Sequence, residues 1–243
     1  MSQPNEPRRD RHLSGAPVTL SLPRPRPERR DHAGRLSRLE PLDPARHAAE
    51  LYAASYNVPG AERLWDYLPY GPFPSLDAFS TWLDGRAASD DPLFFAIRDL
   101  ASGRALGMAS YLRIEPAQAV IEIGHIWFAP ALQRTPAATE AIKLLLHHAL
   151  DELGFRRMEW KCDALNAGSR RAATRFGFSF EGIFYQHVVV KGHNRDTAWF
   201  SILDHEWPAL RAGFARWLAP ENFDADGRQR RSLGELTWPG ERA

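Results

Sequence analysis

The chain has 243 residues, 44% hydrophobic and 25% charged, with a formal net charge of +1; these are ordinary values for a globular domain that buries its own core. Its single cysteine, Cys162, excludes an internal disulfide framework and a cysteine-only metal cluster. No apolar run approaches the roughly 20 residues of a membrane span, and the N-terminus lacks the apolar segment of a secretory signal, so the expected location is cytoplasmic.

The charge is unevenly placed. Residues 1–35 hold eight Arg against four acids, a net of +4, which leaves −3 for residues 36–243. The body therefore gives no electrostatic support for nucleic-acid binding, and only the N-terminal arm could serve that role. Six prolines fall in this arm, and PRPRPERR (23–30) cannot be helical. The composition predicts a largely disordered arm over 1–35, with Val18–Leu22 able to add one strand.

From residue 36 the pattern tightens. LSRLEPL (36–42) reads as a strand. Asp43 reads as a helix N-cap with Pro44 in the first turn, and the helix runs to about Ser55. The aromatic stretch 57–75 is a structured loop, and Ser75 caps a helix to about Leu83. Strands at 93–99, 105–114 and 120–128, joined by short turns, make an antiparallel meander. Thr135-Pro136 opens a long helix with an apolar stripe from Ala138 to Leu153, stopped at Gly154. A strand at 158–163, a helix at 166–176 and strands at 178–190 and 196–203 follow. A last amphipathic helix covers 206–218, and the rest reads as a loose tail. The order β-α-α-β-β-β-α-β-α-β-β implies an α+β fold with a mixed, mostly antiparallel sheet flanked by helices.

Walker, G-x-G-x-x-G, G-x-S-x-G and H-E-x-x-H signatures are absent from the sequence. The informative feature is a strand–loop–helix junction, in which Gln133, Arg134 and Thr135 precede a helix whose first N–H groups lack partners. Such a junction can bind phosphate or serve as a plain capped turn.

Here the sequence resembles the GCN5-related N-acetyltransferases. EIGHIWFAPALQRTPAATEA (122–141) is similar to their acetyl-CoA-binding motif and closest to the RimJ/RimL branch, with Gln133 and Ala138–Ala141 matching. Asn166–Ser169, Gly177-Phe178 and Glu181-Gly182 match further motifs of that branch. The resemblance covers about 36–205, so residues 36–205 would form the acetyltransferase domain and 206–243 a C-terminal helix and tail. It implies a sheet splayed open between the fourth and fifth strands, and an acetyl group moved from acetyl-CoA to an amine.

The resemblance also implies roles. Ile126, Trp127 and Phe128 would bond the pantetheine through their backbone. The amides from Gln133 to Ala138, including Thr135 and Ala137, would hold the pyrophosphate, with Arg134 adding charge. Asn166 would bond the pantetheine, and Ser169 would protonate the leaving thiolate. Pro136 stands where the family usually has Gly, which removes one donor; the site survives with a changed donor set, or cofactor affinity has decayed.

Two residues of strand 120–128 are candidate bases, Glu122 and His125. Strict alternation puts Glu122, Gly124 and Ile126 on one face and His125 and Trp127 on the other. Glu122 is the base of choice. Trp65, Tyr67 and Tyr70 of the aromatic loop, with Tyr185 and His187, form candidate acceptor walls; the loop rings could equally be a core plug. The acceptor is a small amine or a protein N-terminus. A non-catalytic CoA-binding module and a ribosome-directed enzyme guided by the arm are the rival readings. The oligomeric state stays open, a homodimer included. No metal is expected.

Overall fold

The computed structural model describes residues 17–56, 58–61 and 63–237. Eight strands form one sheet in the order β1-β2-β3-β4-β5-β6-β8-β7. They are β1 (His32–Ala33), β2 (Ser37–Pro41), β3 (Leu93–Asp99), β4 (Arg104–Glu115), β5 (Val120–Phe128), β6 (Arg157–Asp163), β7 (Ser179–Val190) and β8 (His193–Leu203). All neighbours are antiparallel except β5 and β6. That pair is parallel because α3 (Pro136–His147) carries the chain across the sheet between them.

The two sheet faces are covered differently. Helices α1 (Pro44–Ser55) and α2 (Leu76–Ala87) lie on the face that bears Phe94, whose ring meets Trp82. Helix α3 lies on the opposite face, where the Tyr111 hydroxyl donates to the Leu145 carbonyl at 2.6 Å. It shares that face with α4 (Ala167–Arg175) and α5 (Trp207–Leu218), where Phe176 and Phe214 stack. Asp43, Ser75, Thr135 and Asn166 cap α1 to α4, each side chain accepting from a first-turn amide. Helix α2 runs four residues past the expected Leu83, to Ala87. Helix α3 ends in a wide π turn over His148–Glu152, which turns His148 inward, and Gly154 then stops it at φ +69°.

Both chain ends are more ordered than their composition suggests. The expected disorder does not hold for residues 23–35, which run across the body as a strap; residues 1–16 lie outside the described residues. The Arg24 amide donates to Pro116, and its Nε to the Leu153 carbonyl at 2.8 Å. Arg29 reaches the Ala87 and Ser89 carbonyls, and Arg30 pairs with Glu152. The strand comes at His32–Ala33, not at Val18–Leu22, where Val18 and Leu22 are exposed. The tail is not loose through Thr237: α6 (Leu233–Thr237) buries Leu233 and Leu236 against α5. Burial of two such side chains offsets the ordering cost of a short segment by about 3–6 kcal/mol. No helix among the described residues is long and apolar enough to cross a membrane.

Candidate active site

The central feature is a parting of strands. β5 and β6 pair only from Val120–Arg157 to Glu122–Glu159. Beyond that point β5 has no strand partner on its β6 side among the described residues, while β6 keeps its pairing with β8 on its other edge. The V-shaped gap opens beside the N-terminus of α3.

A bulge shapes the upper half of β5. Ser110 faces Gly124 while Met108 faces Trp127, so one extra residue sits in β5, and His125 takes φ +51°. This corrects the expected alternation. Trp127 lies on the same face as Glu122, against Trp65 at 5.6 Å, and not on the opposite one. The His125 ring also turns to this face, between Phe94 at 5.1 Å and Tyr70 at 5.6 Å. Burial, with the nearby Arg113, Arg86 and Arg195, pushes the His125 pKa down to about 4, so the ring is neutral at physiological pH.

Glu122 is buried at 3% exposure and accepts from two cations, Arg113 at 2.8 Å and Lys161 at 2.9 Å. Lys161 also pairs with Glu159 at 2.7 Å and sits 3.9 Å above the Trp199 ring. Burial pushes the Glu159 carboxyl up, but hydrogen bonds from Lys161 and Arg157 hold it below its usual value. Arg157 forks onto Glu181 at 2.6 and 2.8 Å. The result is a chain of alternating charges along one sheet face beneath the gap. Sequence reasoning missed its members Arg113 and Lys161. For Lys161 the signal was a period of two in β6, where Glu159 and Lys161 interrupt a strand otherwise as apolar as Met158, Trp160 and Cys162; Arg113 on β4 had no such signal.

At the α3 junction the loop uses many of its own amides. Gln133 donates its N–H to Ala129 and its side chain to the Phe128 carbonyl; Thr135 donates to Leu132, and Ala138 to the Thr135 hydroxyl. Three of the expected pyrophosphate donors, Gln133, Thr135 and Ala138, are thus already bonded within the loop. Arg134, with φ +61°, and Ala137 carry N–H groups with no partner among the described residues. Pro136 has no N–H, as its chemistry requires. The Arg134 side chain is exposed beside this opening.

Across the gap, Asn166 Oδ1 accepts from the Ser169 amide at 2.9 Å, leaving its NH2 group as the end able to reach a ligand. The Ser169 hydroxyl accepts from Trp160 Nε1 at 2.9 Å. Cys162 is buried; burial raises its thiol pKa, against the Ser169 hydrogen bond.

The walls differ from one another. Trp65 is fully packed between Tyr56, Phe73, Phe79 and Trp127, so it belongs to the core as well as to the wall. Gly71, at φ +66°, lies so close that a Cβ there would be 2.6 Å from the indole. Tyr67 donates to the Leu165 carbonyl at 3.2 Å. Tyr185 is 75% exposed, and His187 bonds Thr197 at 3.0 Å. Lys191 ties the β7–β8 hairpin to the aromatic loop through the Trp65 carbonyl at 2.9 Å. A surface cavity of about 520 Å³ opens beside Trp65, lined also by Ser55, Tyr56, Pro59 and Pro72. Another, of about 440 Å³, lies between Gly34, Lys143 and Leu218, remote from the gap.

Residues 37–179 match the family profile described as an acetyltransferase (GNAT) domain. The chain belongs to the GNAT family. The crystal structure of a GCN5-related N-acetyltransferase from Brucella melitensis shares 53% identity, with a TM-score of 0.88 over 90% of this chain and 99% of that one. The Bacillus subtilis protein YdaF is 30% identical over 108 residues, 44% of this chain and 58% of its own length. The Escherichia coli ribosomal-protein-serine acetyltransferase is 35% identical over 81 residues, 33% of this chain and 45% of its own length. The matched stretches therefore span about half of these two curated relatives. The mixed sheet parted at β5 and β6 is the architecture expected from the GNAT resemblance, and the motifs quoted for it frame the gap.

Proposed function

We propose that this GNAT protein moves an acetyl group from acetyl-CoA to a primary amine by direct transfer in a ternary complex. The observation that carries the reading is the β5 edge opening beside the α3 start, where, among the described residues, neither that edge nor the Arg134 and Ala137 amides have partners. These groups suit a pantetheine arm lying along Ile126–Phe128 and a pyrophosphate at the helix start. Arg134 supplies a further positive charge there, and the Asn166 NH2 group a pantetheine contact. Acetyl-CoA, when bound, supplies an activated acyl group and a thiol leaving group.

The protein's own residues do the rest. Glu122 takes the proton of the acceptor amine through water. Neutral His125 packs the wall with Trp65 and Tyr70 and leaves the charge work to Glu122. The Ser169 oxygen accepts from Trp160, and its own hydrogen, which also faces the Cys162 thiol, is the one that can be redirected to the leaving thiolate. Tyr67, Tyr185 and His187 border the acceptor entrance. A protein N-terminus is among the acceptors, an expectation supported by the name of the Escherichia coli relative. Within the described part of the arm, Arg24, Arg26, Arg29 and Arg30 are bonded to the body and are not offered to a partner. A cytoplasmic location is part of the proposal.

Calorimetric titration of acetyl-CoA and CoA release with amine panels test this reading. Glu122→Gln and Ser169→Ala should each lower kcat by about 10²-fold or more, with acetyl-CoA affinity within about threefold of wild type, which is less than 1 kcal/mol. Absence of binding at millimolar acetyl-CoA would sink the site. Wild-type turnover in both variants would overturn the two roles.

A further inference from the structure

Nine buried side-chain polar atoms in the described residues have no hydrogen-bond partner, and six of them surround one region. They are Trp65 Nε1, the Tyr70 hydroxyl, Arg86 Nε, Trp127 Nε1, Arg195 Nε and Trp199 Nε1. Ring contacts join four of them in space: Trp65 meets Trp127 at 5.6 Å and Tyr70 at 6.3 Å, and Tyr70 meets Trp82, over which Arg86 sits at 5.6 Å. Arg195 lies on β8 on the same face as Trp199, and its charge, with those of Arg86 and Arg113, reaches His125. All six atoms are hydrogen-bond donors. Buried donors are normally paired, so a cluster of unpaired ones calls for a ligand rich in acceptors.

The charges sharpen the chemistry. Glu122 and Glu159 are already taken up by Arg113, Lys161 and Arg157. Among the described residues, Arg86 and Arg195 have no carboxylate partner, and both stand on the acceptor side of the sheet: Arg86 over Trp82, and Arg195 on the β8 face that carries Trp199, whose β6 partner Lys161 reaches Glu122. The cofactor phosphates do not account for them, because the α3 start packs on the opposite face. A carboxylate offers only acceptor lone pairs and fits a guanidinium fork.

We propose that the acceptor is an amine carrying a carboxylate on the same molecule, and that Arg195, with Arg86 behind it, receives that carboxylate. Arg195 then faces the acid end, while Glu122, whose charge Arg113 and Lys161 already balance, lies toward the amine end as the proton acceptor. This rests on the acetyl-transfer reading above. A free amino acid and a peptide beginning with Asp or Glu present the same chemistry.

The test compares kcat/KM for matched pairs at saturating acetyl-CoA. One pair is a free amino acid and its amide; the other is a peptide with N-terminal Glu and the same peptide with Gln. The carboxylate member of one pair should be preferred on the order of 10²-fold, as for a buried polar group left unmatched by the analogue. Preference in the first pair identifies a small-molecule acceptor, and in the second an acidic N-terminus. Arg195→Met should collapse the ratio toward one, and Arg195→Lys should keep part of it. Transfer without preference in either pair would overturn the proposal while leaving acetyl transfer standing. Absence of CoA release with every amine would overturn the acetyl-transfer reading and this proposal together.

Discussion

Glu140 shows how one side chain can look like a motif letter and act as a structural pin. It belongs to the T-E-A run that marks the family resemblance, yet its buried carboxylate accepts from the backbone N–H groups of Arg35, Leu36 and Ser37 at 3.0, 2.6 and 2.7 Å. It thereby holds the turn between β1 and β2 onto α3. Glu140→Gln keeps the shape but halves the acceptor sites and removes the charge, so stability should fall by about 2–3 kcal/mol. Urea unfolding would register this, and an unchanged midpoint would remove Glu140 from that role. His125 makes a similar point. Its identity was legible, but its direction was not, because a bulge reverses every following side chain and E-I-G-H-I-W reads as unbroken alternation.

The N-terminal strap is the segment whose composition misled most. Proline and arginine in 23–30 argue against helix and sheet, and this part of the argument holds, since only His32–Ala33 pairs as strand. Disorder does not follow, because extended proline-rich backbone can still hand its arginines to fixed carbonyls on the body. Arg24 meets Leu153 beside the α3 terminus, and Arg30 meets Glu152 and His148. Replacing Arg24 and Arg30 together by Ala should cost about 1–3 kcal/mol. It should leave kcat/KM for any amine unchanged, because these two arginines contact Leu153, Glu152 and His148 on the α3 side of the sheet, away from the acceptor wall. Thermal unfolding and turnover of the double variant check both halves. Helices α1 to α4 were legible from their caps and apolar stripes, because those signals lie within a few residues of the feature they mark.

Across the fold, a buried histidine on each sheet face ties stability to pH. Burial, then His148 and Arg30, push the His32 pKa to about 4, while burial and three arginines do the same for His125. Both values lie below the unfolded value near 6.5, so the unfolded chain takes up protons first as pH falls. Stability is therefore full above about pH 6.5 and declines toward pH 4, by roughly 3 kcal/mol at most for each ring. Glu40 does not share this window: burial opposes ionisation, but hydrogen bonds from Arg98 and His47 hold its pKa at about 2. Denaturant midpoints at pH 7.5 and 4.5 should differ, and less so in His32→Phe, which keeps a ring against Phe95. An equal loss in that variant would refute the role of His32. The same contrast between near and distant causes separates what could be read along the chain from what could not. Strand and helix positions, the capped α3 junction and the family resemblance rest on short-range patterns of polarity, proline and glycine. The parting of β5 from β6, the bulge that swings His125 and Trp127 toward Trp65, the alternating charges under the gap and the docked strap depend on partners up to 183 residues apart. Only closure of the sheet brings those partners together, and no local pattern encodes their distance.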